Sequence, residues 1–275
     1  MRKDGWTWDE TLYEGSATYY AQGRMPYPPA IADTLRTQLQ LDSTGRLLDV
    51  GCGPGSLTML LAPLFAETIG IDADEGMIAE AKRRDERGRV SWHRLRAEEI
   101  PADWEPFQLI TFAQSLHWLD QPSVLPVVHS LIAPGGVCVH VQATTHQGTA
   151  DAGPTAYPTP PHDAIAALIV DFLGPVRRAG RGTLPAGTPG TEVDELRAAG
   201  FTGPTRIQVD YDDVLTRTED EVVASVLSLS YSTPHLFGQR LPEFDRELRE
   251  LLRGTSSSGL FSERLRPMAL DFWRP

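Results

Sequence analysis

One stretch constrains the fold more than any other: Arg46 to Asp72, RLLDVGCGPGSLTMLLAPLFAETIGID. Arg46 to Val50 is a short apolar run ending close to an acid, the residues from Gly51 to Gly55 form a turn, and Ser56 to Phe65 resumes at helical spacing. The pattern predicts strand, glycine loop and helix, then a second strand, Thr68 to Ile71, ending in Asp72. This is half of a doubly wound nucleotide-binding fold, whose ligand lies at the carboxyl edge of the strands, where glycines let backbone come close.

The spacing decides which nucleotide fits. A dinucleotide loop needs its third glycine one residue later, at Ser56, and does not usually carry an acid just before the first. Here Asp49 to Gly55 reads D-x-G-x-G-x-G. In this the chain resembles the class I S-adenosylmethionine-dependent methyltransferases, whose first motif has the same form and whose second strand also ends in an acid. Their ligand brings an amino-acid tail and a ribose without a pyrophosphate, so Asp72 is expected to accept hydrogen bonds from both ribose hydroxyls. The resemblance implies cofactor contacts from Asp49, Gly51, Cys52, Gly53, Gly55, Asp72, Ala73 and Met77, with demethylated S-adenosylhomocysteine as product.

Further motifs extend it. The segment from Tyr20 to Pro28 matches a Y-x-x-x-R-x-x-Y-P pattern that in related chains folds over the cofactor. It makes Tyr20 and Arg24 cofactor candidates, since a guanidinium fork suits a carboxylate, and Tyr19 a substrate candidate. Related chains read D-A-x-x-L-P where this one reads Arg96-Ala97-Glu98-Glu99-Ile100-Pro101. With Arg96 in place of the acid, either Glu98 takes over the adenine contact or only backbone at Ala97 and Glu98 reaches the base. The fourth strand, Phe107 to Phe112, ends in AQSLHWLD. Gln114 and Ser115 are candidate cofactor contacts, Trp118 could face a sulfonium or substrate, and His117 has the ordinary pKa for proton abstraction. A histidine simply bonded to its own loop is the alternative for His117.

Charge and composition narrow the partners. The 275 residues carry a net charge of −12, which lacks the basic footprint of nucleic-acid binding. No apolar leader is evident in MRKDGWTWDE, and Pro126, His129 and Pro134-Gly135-Gly136 break the most apolar stretch. A cytoplasmic protein without membrane partner is expected. Cys52 and Cys138 look like buried, reduced residues, and the seven histidines show no metal-ligand spacing.

The remaining chain sorts into four blocks: an N-terminal cap and first helix over 1–40, a Rossmann-like core over 41–142, a lid insertion over 143–190, and a C-terminal completion with lid helices over 191–275. The cap holds Trp6 and Trp8 among its aromatics. The insertion is rich in Pro, Thr and Gly and too long for a plain connection. Its Arg177, Arg178 and Arg181 read as a solvated loop rather than an anion grip. His146, Tyr231 and His235 are substrate candidates, the latter two in a hydroxyl- and aromatic-rich run suited to a small-molecule pocket. The helix from Pro242 to Arg253 reads as solvent-exposed, and Leu265 to Trp273 as an edge hairpin strand.

The implied fold is α/β, a Rossmann-like, seven-stranded, doubly wound sheet, mostly parallel with one antiparallel strand, with an N-terminal cap and an inserted helical lid. The implied activity is methyl transfer to a small molecule, in secondary metabolism. The alternatives are tRNA or protein methylation on the same fold, or cofactor binding without transfer.

Overall fold

The structure is a computed structural model describing residues 9–149, 153–179, 182–184, 190–209 and 211–275. Trp6, Trp8 and Arg181 lie outside the described residues, as does the side chain of Arg178. The chain forms two compact units, each of discontinuous segments. Unit 1 comprises Met1–Met25, Thr145–Pro189 and Asp212–Leu265; unit 2 comprises Pro26–Thr144, Gly190–Tyr211 and Arg266–Pro275.

Unit 2 is built on seven strands: β1 (Arg46–Val50), β2 (Glu67–Asp72), β3 (Ser91–Arg94), β4 (Phe107–Ala113), β5 (Ile132–Gln142), β6 (Thr202–Val209) and β7 (Met268–Arg274). Their spatial order is β3-β2-β1-β4-β5-β7-β6, parallel except for β7, which runs antiparallel to both neighbours. The central strands are apolar on both faces because both are covered. Leu48, Val50, Ile110, Phe112 and Cys138 enter one core, with Val124 and Val128 of α4 (Gln121–Ser130) and Leu196 of α5 (Glu192–Ala198). Alternate residues Leu47, Leu109, Val137 and Val139 enter the opposite core, with Ile31 and Leu35 of α1 (Ala30–Leu39) and Leu57 and Leu61 of α2 (Ser56–Leu61). A third helix, α3 (Glu75–Arg84), lays Ile78 and Ala81 against Trp92 of β3.

Two differences from the expected elements have physical causes. The segment ending in Trp273 is an interior strand, because its residues Leu270, Phe272 and Trp273 are buried on both faces between β5 and β6. β5 begins at Ile132 and runs through Pro134-Gly135-Gly136 rather than starting after that turn; a register shift between Phe107 and Leu109 of β4 absorbs the irregularity.

Unit 1 packs the helices Ala17–Gly23, His162–Leu173, Glu219–Leu227 and Leu241–Thr255 with an antiparallel pair, Val214–Thr218 against Leu260–Arg264. Its core includes Ile165, Ile169, Val222, Val226, Phe244, Leu248, Leu252 and Phe261. The helix from Leu241 to Thr255 is therefore amphipathic rather than solvent-exposed: Phe244, Leu248 and Leu252 recur at i, i+4 and i+8 and are fully buried, while its arginines and acids occupy the other face. Gly23 lets the first of these helices meet the third, since a Cβ there would come within 2.1 Å of the Ser225 amide nitrogen. Among the described residues, no helix is long and apolar enough to cross a membrane.

Candidate functional site

The strand order reverses between β1 and β4, so the loops following these strands open a crevice at their carboxyl ends. The loop after β1 is held from below: the amides of Gly51 and Cys52 both donate to the Ile71 carbonyl at 2.9 Å, and the Gly55 amide donates to the Cys52 carbonyl at 3.0 Å. Gly51, Gly53 and Gly55 all have left-handed φ, of 68°, 54° and 78°. Only one of them faces open space. A Cβ on Gly51 would meet Ser115 Cβ at 2.5 Å and one on Gly55 would meet the Trp92 ring at 2.4 Å, whereas one on Gly53 would meet nothing within 4 Å. The outer two glycines permit packing; Gly53 forms the bare wall of a cradle.

Asp72 ends β2 beside that wall. Its carboxylate accepts from the Gly53 amide at 2.8 Å and from the Asp74 amide at 2.9 Å. Burial pushes its pKa up to about 6; the two amide hydrogen bonds oppose the rise, and the charges of Asp74 and Asp49 add to it. The carboxylate is thus under-compensated. Two hydroxyl donors from a ribose would complete its shell, so the residues present fit an adenosine-bearing cofactor.

Asp49 is placed differently. It lies in the middle of the sheet with Oδ2 accepting from Thr58 Oγ1 at 2.5 Å and Oδ1 from Thr111 Oγ1 at 2.7 Å. Burial raises its pKa and the two threonine hydroxyls oppose the rise. This carboxyl clamps β1 to α2 and β4, so its service to the loop is positioning. Thr58 does not stand out in the sequence, whereas Thr111 is a polar interruption of the apolar run from Phe107 to Phe112.

The loop after β4 closes the other side. Ser115 Oγ donates to the Val50 carbonyl at 2.6 Å, tying this loop to the end of β1. Gln114 takes φ of 57°, unusual for a non-glycine residue, and its Nε2 donates to Tyr27 Oη at 3.2 Å. Tyr27, the second tyrosine of the N-terminal motif, is thereby a further residue of this edge. Cys52 is buried, and burial followed by the charges of Asp72 and Asp49 pushes its thiol well above the ordinary range. It packs as a small neutral side chain, and Cys138 is likewise free and buried.

On the β2–β3 side, Ala73 follows Asp72, and Met77 is buried in the first turn of α3, its amide capped by Asp74 Oδ1 at 2.8 Å. Ala97 and Glu98 open a short turn in which Glu98 pairs with Arg96 at 3.4 Å and accepts from the Asp120 amide at 3.0 Å. Arg96 and Glu98 thus neutralise one another.

His117 sits in the turn Leu116–Trp118, its ring 5.3 Å from that of Trp118. Burial lowers its pKa to about 4, against the attraction of Glu192 and with the help of His140. The imidazole is neutral at physiological pH, and the same burial makes it a weak base.

Residues 47–136 match a family model described as a methyltransferase domain. The chain is 36% identical over 109 residues to the trans-aconitate 2-methyltransferase of Variovorax paradoxus, covering 38% of this chain and 41% of that one. It is 35% identical over 95 residues to the ubiquinone biosynthesis O-methyltransferase of Ruegeria pomeroyi, covering 34% and 38%. The matched region thus spans about two fifths of these relatives. Residues 47–136, about a third of the chain, are similar to the methyltransferase domain family.

The fold of the chain is shared with solved structures at low identity. A chain from Anaeromyxobacter dehalogenans described as a type II methyltransferase superposes with a TM-score of 0.54 at 19% identity, covering 90% of this chain and 95% of that one. The N-methyltransferase NodS of Bradyrhizobium japonicum, solved with S-adenosylhomocysteine, gives 0.50 at 16%, covering 97% and 98%.

The other candidates from the sequence lie in unit 1. Arg24 donates from Nε to Ser228 Oγ at 2.8 Å and from Nη2 to the Ser228 carbonyl at 3.0 Å, with its guanidinium 4.4 Å from the Tyr20 ring centroid. Tyr19 packs at the margin of the unit 1 core. His146 offers its carbonyl to Ser225 Oγ at 2.7 Å. His235 Nδ1 lies 3.1 Å from Thr233 Oγ1 and 3.3 Å from the Glu14 carbonyl. Tyr231 carries Arg177 over its ring, 4.9 Å from the centroid.

Proposed function

We propose that this chain transfers a methyl group from S-adenosylmethionine to a small-molecule acceptor. The observation that carries the reading is the pairing of Gly53, bare toward the crevice, with the half-buried and under-compensated Asp72 carboxylate. In this reading Asp72 takes both ribose hydroxyls, the backbone of Gly51 to Gly53 lies along the ribose and tail, and Gln114 and Ser115 hold the amino-acid end. Met77 and the Ala97–Glu98 turn take the adenine side. When bound, the cofactor supplies an electrophilic methyl carbon on a sulfonium.

The protein's task is then alignment and exclusion of water, worth up to about 7 to 11 kcal/mol of barrier. A base adds about 10² to 10⁴ in rate where the nucleophile must lose a proton. A weakly basic His117 supplies less than that, about tenfold. The acidic net charge and the small-molecule names of the relatives favour a small acceptor over tRNA or protein, and a cytoplasmic role in secondary metabolism belongs to the same reading. Incubating the chain with methyl-labelled S-adenosylmethionine and separate panels of small metabolites, bulk tRNA and protein tests it. Label entering only the small-molecule panel is the expected result; label entering only tRNA or protein, or cofactor binding without transfer to any panel, refutes it.

A further inference from the structure

Unit 1 contains a cavity of about 60 Å³ with apolar walls from Ile165, Ile169 and Val226 and a polar rim that includes His162 and Tyr231. A water needs about 10 to 15 Å³ of such volume, so the space suits a short chain of several heavy atoms. The charged groups of the lining and those next to it differ in their state of compensation. Arg217 and His162 both reach the fully buried Glu263 carboxylate, which also accepts from the Gly148 amide at 2.8 Å. That cluster is closed.

Arg177 is not closed. It stacks on Tyr231, which lines the cavity, with its guanidinium carbon 4.9 Å from the ring centroid, and its Nε and Nη1 are buried without a hydrogen-bond acceptor among the described residues. The expectation of a solvated arginine at this position is corrected accordingly. Guanidinium donors withdrawn from water are costly unless an acceptor meets them, and a planar oxyanion meets two at once. Arg24, held on the Ser228 carbonyl and hydroxyl, adds a second positive charge that acts on Tyr231. Burial raises the Tyr231 phenol, while Arg177 and then Arg24 pull it down, so the ring stays a neutral hydroxyl able to donate a hydrogen bond.

We infer that unit 1 binds a carboxylate-bearing small molecule, its short apolar body in the Ile165–Ile169–Val226 cavity and its carboxylate on Arg177 beside Tyr231. That this ligand is the methyl acceptor rests on the function proposed above; that it binds does not.

The test uses the whole chain without cofactor and reads binding of sorbate, a six-carbon dienoate, against its neutral amide by calorimetry or saturation-transfer NMR. Sorbate is expected to bind at least about tenfold more tightly than the amide, the scale of a charge-assisted hydrogen bond. Arg177→Gln should remove that preference and Arg177→Lys restore part of it, both leaving S-adenosylhomocysteine affinity unchanged. Equal binding of acid and amide by the wild type overturns the proposal even if the glutamine variant fails to fold. Unchanged sorbate affinity in Arg177→Gln overturns it too, as does displacement of sorbate by inorganic phosphate at equal concentration, which would mark an anion site that ignores the apolar body. Failure to bind S-adenosylhomocysteine would sink the proposed function alone, since the sorbate measurement proceeds without it.

Discussion

Two carboxylates, one fully buried in unit 1 and one half-buried in unit 2, are treated in opposite ways. Glu263 of unit 1 is fully buried, and burial alone would raise its pKa. The His162 hydrogen bond, the Arg217 charge and the Gly148 amide override that and hold it at about 2. Asp72 of unit 2 meets only two backbone amides and two acidic neighbours, and it rests at about 6. A carboxylate surrounded by cations is a structural tie, whereas one left short of donors is a place for a ligand to bring them.

The largest expected effect follows from that contrast. Asp72→Ala removes two charge-assisted hydrogen bonds to the ribose, each about 1.5 to 3 kcal/mol, so cofactor affinity should fall by about 10² or more in calorimetry. Next is Glu263→Gln. Breaking a buried ion pair from one side costs about 3 to 5 kcal/mol, which should appear in denaturant unfolding with cofactor affinity unaffected. If the stability loss fell on Asp72→Ala and the affinity loss on Glu263→Gln, the contrast would be inverted.

The two groups also carry opposite signs in pH dependence. Glu263 is depressed in the folded state, so its contribution is present above the ordinary carboxylate range and is lost as pH falls from about 4.5 through 2. Asp72 is raised, so the folded apo chain binds its proton more tightly than the unfolded chain. Its contribution is present below about 4 and is lost as pH rises through about 6. Comparing acid unfolding of the wild type with Glu263→Gln and Asp72→Asn separates them.

Glycine substitutions sharpen the comparison within unit 2. Gly53→Ala should cost only the left-handed strain, about 1 to 2 kcal/mol of stability, yet lower cofactor affinity by about tenfold or more, because its Cβ enters the crevice. Gly55→Ala should do the reverse, destabilising the fold by adding a clash with Trp92 to the same strain. The smallest effect is expected at His117. With a pKa near 4 it should give no inflection in kcat between pH 6 and 8, and His117→Ala should slow turnover by about tenfold.

Much of unit 2 was legible because its determinants are local. The apolar runs of β1 and β4, the glycine spacing and the acid ending β2 lie within a few residues of the elements they specify. What was not legible depends on distant partners. The Asp49 clamp needs Thr58 and Thr111, which are 9 and 62 residues away. The interior position of β7 depends on pairing with β5 across more than a hundred residues. The helix from Leu241 to Thr255 looked exposed because its charges outnumber its apolar residues, although three leucine-sized positions at helical spacing suffice to bury one face. Arg177 looked solvated because nothing local reveals that Tyr231 lies beneath it.

The central claim is that Asp72 waits for ribose hydroxyls, and proton release on binding tests it most directly. At pH 6 about half of the free Asp72 carries a proton. Two hydroxyl donors stabilise the anion, so titrating S-adenosylhomocysteine into the chain in buffers of different ionisation enthalpy should show a fraction of a proton released per site, absent in Asp72→Asn. Binding of undiminished strength in Asp72→Asn, with the same proton balance as the wild type, would contradict the account.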